Sequence, residues 1–139
     1  MSKTYKIVKI QGLTEDLFRM VGPFAMDRKV IRELDGYPIL ADENMTWFIA
    51  IKDNEVVSFA AIKQLSGGTV EFTNSYTTPE FRGNGIHRKL FNERLKWCMR
   101  NKVKVITATC REASLAIFME NGFNVLKEFK TWTKVQKWL

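Results

Sequence analysis

The stretch from Thr69 to Leu90 constrains this chain more than any other. A β-rich run, Thr69–Thr77, stops at Pro79, crosses Gly83-Asn84-Gly85 and enters a long helix-patterned run from Ile86 to about Asn101. Proline cannot donate to a strand ladder, so the strand ends there. A strand that turns sharply into a helix demands a sheet for the one and a covering layer for the other. At 139 residues the chain has room for one hydrophobic core, and residues 1–139 read as a single domain.

The other runs fill out that layered arrangement. Tyr5–Ile10 alternates lysine with apolar residues, the pattern of a half-buried strand. Thr14, followed by Glu15 and Asp16, marks a helix start. A second helical stretch, from about Phe24 to Asp35, carries Met26, Val30, Ile31 and Leu34 at helical spacing before Gly36. Tyr37–Asn44 reads as a loop. Thr46–Lys52 and Val56–Gln64 are β-rich runs joined at Asp53-Asn54, and Gly67-Gly68 turns into the Thr69–Thr77 strand. Beyond the long helix come a strand, Val103–Cys110, a short helix, Glu112–Asn121, and two closing strands, Phe123–Phe129 and Thr131–Trp138. The order β-α-α-β-β-β-α-β-α-β-β predicts a mixed sheet with helices on its faces. On the long helix, Leu90, Leu95 and Cys98 are expected to pack inward, with Arg88, Lys89, Arg94, Lys96 and Arg100 outside.

Lys and Arg number 22 against 15 Asp and Glu, a formal net charge of +7. Residues 1–70 are balanced, so the whole surplus belongs to residues 71–139, where an anionic ligand or partner is expected. The glycine turn lies in that half. Gly83 and Gly85 remove side chains, which lets successive N–H groups converge at a helix start that already carries partial positive charge. Arg82 adds full charge beside the turn, and Arg88 and Lys89 add more. A phosphate or diphosphate is the matched guest. The turn is not a dinucleotide fingerprint, because the sixth position from Gly83 is Arg88, and no Gly-Lys-Ser/Thr follows for a P-loop.

The segment Pro79-Glu80-Phe81-Arg82-Gly83-Asn84-Gly85-Ile86-His87 resembles the acyl-coenzyme A binding motif, Arg/Gln-x-x-Gly-x-Gly/Ala, of the GNAT superfamily of N-acetyltransferases. Ala113 to Phe123 resembles that family's second motif, a short helix ending in Gly-Phe, and the element order is similar over essentially the whole chain. The resemblance implies an α/β (α+β) fold with a mixed, mostly antiparallel sheet of six to seven strands and helices on both faces. It implies that the amides of Gly83, Asn84, Gly85, Ile86 and His87 hold the pyrophosphate of acetyl-CoA, with Arg82 and Arg88 adding charge. The backbone of Tyr76, Thr77 and Thr78 is then expected to bind the pantetheine arm between two splayed parallel strands, Thr69–Thr77 and Val103–Cys110. An amine acceptor would enter from the opposite side and attack the thioester directly.

Three positions depart from the family pattern. His87 stands where Gly or Ala is usual, and Arg111 where asparagine is common. Phe118 replaces a tyrosine that often protonates the leaving thiolate, and phenylalanine has no proton to give. Ser114, Tyr76, Cys110 or water is left for that role. For a base, Thr69, Glu71, Thr73, Ser75 and Thr77 share one face by the period of two, and Glu71 is the ionisable member. A surface carboxylate opposite a lysine is the competing reading of Glu71.

Two cysteines without C-x-x-C spacing and a single histidine give a zinc site too few ligands, so no metal is expected. Met1–Ile10 lacks the continuous apolar stretch of a signal peptide, and no run approaches the roughly 20 apolar residues of a membrane span. A cytoplasmic protein is the expectation. The tail interleaves Lys127, Lys130, Lys134 and Lys137 with Trp132 and Trp138, which suits either an edge hairpin with one wet face or nucleic-acid contact. Its strands are also candidates for pairing two copies. The resulting expectation is an N-acetyltransferase acting on a primary amine of unidentified class, whether small molecule, protein or nucleic-acid-linked. The alternative is a non-catalytic binding or assembly protein of the same fold.

Overall fold

The computed structural model describes residues 5–139. What was expected of Met1–Thr4 therefore lies outside the described residues. The chain runs β1 (Lys6–Gln11), α1 (Glu15–Ala25), α2 (Arg28–Glu33), β2 (Met45–Lys52), β3 (Glu55–Gln64) and β4 (Thr69–Thr77). It continues through α3 (Ile86–Arg100), β5 (Val105–Cys110), α4 (Glu112–Glu120), β6 (Asn124–Glu128) and β7 (Thr133–Trp138). One seven-stranded sheet, ordered β1-β2-β3-β4-β5-β7-β6, forms the centre. β4 and β5 are its parallel neighbours; the other pairs are antiparallel. This is the mixed, mostly antiparallel α/β sheet expected from the sequence.

Alternation along the strands sends apolar side chains to both faces. On one face, Phe48, Ile62, Phe72, Ile106 and Val135 pack under α3 and α4 with Leu90, Phe91, Phe118 and Phe123. On the other, Trp47, Ile49, Phe59 and Tyr76 pack under α1 and α2 with Leu17, Val21 and Val30. Thr14 starts α1 as expected, its Oγ1 accepting the Leu17 N–H at 3.1 Å. The second helix starts later than the expected Phe24. Phe24 stays in α1 with its ring edge on Phe59 (5.3 Å between centroids), and Asp27 caps α2 through the Lys29 N–H at 2.8 Å.

Two expectations about side-chain direction are corrected by the fold. The β4 set from Thr69 to Thr77 does not share one face. Phe59 pairs with Tyr76 and Ala61 with Thr73, so Ala60 opposes both Asn74 and Ser75. This β-bulge flips the alternation. Asn74, at φ 53°, takes up the left-handed conformation that the extra residue requires. Phe72 consequently lies in the α3 core and Tyr76 in the α1–α2 core. The second correction concerns Arg94, expected outside with the other charges of α3. It is 1% exposed, on the same helical stripe as Leu90 and Cys98, four residues away on either side.

Candidate functional site

β4 and β5 pair only from Thr69↔Val105 to Phe72↔Ala108. Both strands continue past that rung, β4 to Thr77 and β5 to Cys110, without pairing to each other. The ladder therefore opens into a cleft whose inner end lies at Phe72 and Ala108. β4 keeps its bonds to β3 on its other edge: the Thr78 N–H donates to the Val57 carbonyl at 2.9 Å, and the Tyr76 carbonyl accepts from Ser58 Oγ at 3.0 Å. Alternation then turns the Thr77 amide and carbonyl toward the cleft. The Thr77 carbonyl accepts from Arg82 Nε at 2.9 Å. Of the three residues named for the pantetheine arm, Thr77 is thus the one whose main chain faces the gap.

The cleft leads to the glycine turn. Gly83 and Gly85 have φ of 80° and 79°, and a Cβ built on either would meet no atom within 4 Å. The small residues are there for backbone conformation and for open space beside it, since a side chain at positive φ is strained. Helix bonding begins with the Lys89 N–H on the Gly85 carbonyl. Before it, the N–H groups of residues 83–88 find no backbone acceptor among the described residues. They form a set of unsatisfied donors at the start of a 15-residue helix, a cradle for an anion. Ile86 anchors the turn in the core, and Asn84 Nδ2 reaches back to the Phe81 carbonyl at 3.3 Å.

Around the cradle, charges are already engaged. Arg82 pairs with Glu33 (2.6 Å), its guanidinium 5.4 Å from the centre of the Tyr76 ring. Arg88 pairs with Glu120 at 2.7 Å on the exposed side. His87 points back to β4, its Nδ1 3.0 Å from Ser75 Oγ. Burial, with Arg94 and Arg88 adding repulsion, pushes His87 down to about 4, so it is neutral at pH 7.

Glu33 is the residue that sequence reasoning missed. Its carboxylate accepts from the Tyr76 hydroxyl at 2.7 Å and from Arg82 at 2.6 Å. Those two bonds hold its carboxyl below the usual range. Burial and the same bond push the Tyr76 phenol up to about 12, which keeps its proton in place. On the far side of the cleft, Arg111 at the end of β5 donates to the Glu33 carbonyl (2.9 Å) and to Asp35 (2.8 Å). The last turn of α2 thereby ties together the two strand ends that the backbone ladder no longer joins.

The remaining candidates sit apart. Glu71 lies in the paired part of β4, beside Lys63 and Thr107 and about 16 Å along the strand from Tyr76. Ser114 Oγ donates to the Arg111 carbonyl at 3.3 Å, within the first turn of α4. Phe118 is core, edge-on to Phe91 (5.1 Å) and Phe123 (5.0 Å). Cys110 is buried, and burial raises its thiol pKa, so it is a poor nucleophile. A shallow, open depression of about 570 Å³ lies between Asp35, Arg111, Glu112, Ala113, Lys130 and Thr131, at the end of β5. Among the described residues no group of three or more His, Cys, Asp or Glu is placed to hold a metal ion, and no helix is long and apolar enough to cross a membrane.

The model of the acetyltransferase (GNAT) family matches residues 10–123. Escherichia coli ElaA is similar over 96% of this chain and 99% of its own, with a TM-score of 0.76 and 13% identity. The PaiA N-acetyltransferase of Thermoplasma acidophilum, solved in complex with coenzyme A, covers 96% and 99%, with a TM-score of 0.70 and 13% identity. A Bacillus subtilis acetyltransferase in complex with CoA covers 98% and 99%, with a TM-score of 0.68 and 12% identity. Comparison with curated proteins gives no match.

Proposed function

Because the chain belongs to the acetyltransferase (GNAT) family, we propose that it transfers an acetyl group from acetyl-CoA directly to a primary amine. The observation that carries this reading is the continuity of two unsatisfied surfaces. The donors of residues 83–88 lead straight into the unpaired edge of β4, beyond Phe72. A diphosphate fits the first because nothing lies within 4 Å of the missing Cβ atoms of Gly83 and Gly85. An extended amide-bearing arm fits the second, replacing β5 on the ladder through Thr77. Two of the structural neighbours were solved with coenzyme A, which supports the same assignment.

When bound, the cosubstrate supplies an activated thioester; the protein supplies position and charge. Arg82 and Arg88 lie beside the diphosphate cradle, and Arg82 can exchange Glu33 for a phosphate oxygen. The open depression beside Arg111 and Lys130, at the end of β5, is where the acceptor would enter. Of the proton-handling candidates, Tyr76 is at the mouth of the cleft and carries its proton at neutral pH. Ser114 is one turn into α4, and Glu71 would act from the inner end through water.

A second reading, a binding protein of this fold without turnover, rests on Phe118, a core residue with no proton to give at the position where the family often has a tyrosine. Thiol release from acetyl-CoA over a panel of amines separates the two. Acceptor-dependent release with an equal yield of acetylated amine supports transfer. Coenzyme A binding without release over the whole panel supports the second reading.

A further inference from the structure

Arg94 is the least explained charge in the molecule. It is 1% exposed and forms no salt bridge among the described residues. Its one hydrogen bond runs from Nη1 to the Ala61 carbonyl at 3.3 Å, and its Nε is buried without a partner. The guanidinium lies 4.3 Å from the centre of the Phe72 ring and 5.5 Å from that of Phe91. A buried cation without an anion costs the fold free energy, so its presence calls for a compensating use.

Its position supplies one. Phe72 is on the last paired rung of β4 and β5, and Ala61 is the partner of Thr73, the next residue along. Arg94 therefore sits directly behind the inner end of the cleft, on its α3 side. The neighbouring titratable groups leave its charge uncompensated. His87 and the Cys98 thiol are neutral at pH 7, the latter pushed up to about 12 by burial, and across the cleft Cys110 is a buried thiol. Burial pushes Arg94 itself down to about 9, which still leaves it cationic at neutral pH.

Resting on the proposed acetyl transfer, we infer that Arg94 is a positioning residue whose buried charge stabilises the thiolate released at the inner end of the cleft, in place of a proton donor at Phe118. In the step it serves, the amine nitrogen bonds to the thioester carbonyl carbon and the carbon–sulfur bond breaks. The electron pair stays on sulfur, and the proton shed by the new amide nitrogen passes to water. Arg94 acts through space across Phe72, in a low-dielectric setting where a single charge is strongly felt. It needs no contact with the sulfur.

Bound coenzyme A reports this charge without turnover. Its thiol is titrated by ultraviolet absorbance of the thiolate on the wild-type protein, Arg94→Met and Arg94→Lys. The bound thiol should be more acidic on the wild type than on Arg94→Met by at least about one pH unit, a tenfold change. Arg94→Lys, which keeps the charge, should stay close to wild type. Arg94→Met should fold and melt no lower than wild type, because an unpaired buried charge is exchanged for an apolar side chain of similar length. Equal thiol acidity on wild type and Arg94→Met overturns the inference while leaving the acetyl-transfer reading intact. If Arg94→Met does not fold, the wild type decides alone: a bound thiol no more acidic than free coenzyme A overturns it. Failure of coenzyme A to bind the wild type removes the acetyl-transfer reading and this inference together.

Discussion

Removing the Glu33 carboxylate tests whether the end of α2 holds the mouth of the cleft. In Glu33→Ala the Tyr76 hydroxyl, on a residue 6% exposed, loses a 2.7 Å bond to a charged acceptor. Bonds of that kind contribute about 1.5–3 kcal/mol. Arg82 loses a 2.6 Å ion pair, but its side chain is 47% exposed and solvent takes over most of that interaction, about 0.5 kcal/mol. The Arg111 bond to the Glu33 carbonyl is main-chain and survives. The expected cost is therefore about 2–3.5 kcal/mol, a large part of a stability of about 5–15 kcal/mol. At this chain length it corresponds to a fall in Tm of roughly 10 °C. Urea unfolding followed by tryptophan fluorescence measures it, and a cycle with Tyr76→Phe isolates the pair. The double variant should be less destabilised than the sum of the singles by about 1 kcal/mol or more. A loss below about 0.5 kcal/mol in Glu33→Ala, or strict additivity in the cycle, would refute this account of the clamp. The carboxyl is held below its usual range, so its contribution is complete above about 4.5 and is lost as the pH falls through the folded-state value.

Other outcomes follow from the same geometry. His87, folded at about 4 against 6.5 unfolded, binds its proton more readily in the unfolded chain; stability should fall by about 3 kcal/mol as the pH drops from 6.5 to 4, and His87→Gln should flatten that window in denaturant titrations. Phe118→Ala should cost about 3–5 kcal/mol in urea unfolding, because it empties the edge-on cluster with Phe91 and Phe123. Neither Cys98 nor Cys110 should react with an aromatic disulfide reagent at pH 7.5 until urea unfolds the protein, both thiols being buried and held protonated.

What could be read from the sequence was what local physics writes locally. Pro79, Gly83 and Gly85 act through their own backbone and Thr14 through a hydroxyl three residues from its partner, and each marks its turn or cap where the fold has it. The bulge in β4 is a property of two strands in register, so alternation read along β4 alone put Ser75 and Thr77 on the wrong face. One signal was present: Asn74, a residue type that tolerates the left-handed conformation, interrupts a run rich in β-branched and aromatic residues. Arg94 was misplaced because charge outweighed spacing, although Leu90, Arg94 and Cys98 fall on one stripe at intervals of four. Glu33 left no trace. Its partners are 43 and 49 residues further along, and only the folded sheet brings them to the end of α2.

The central claim is that main-chain donors at the start of α3 grip a diphosphate while the open edge of β4 takes the arm attached to it. Titration calorimetry with coenzyme A and with pantetheine, which lacks the diphosphate, tests it on the wild type and on Gly85→Glu. Coenzyme A should bind the wild type at least a hundredfold more tightly than pantetheine, about 2.7 kcal/mol. Gly85→Glu should erase that advantage by placing a carboxylate in the cradle. Equal affinities for the two ligands, or coenzyme A binding that Gly85→Glu leaves unchanged, would contradict the account.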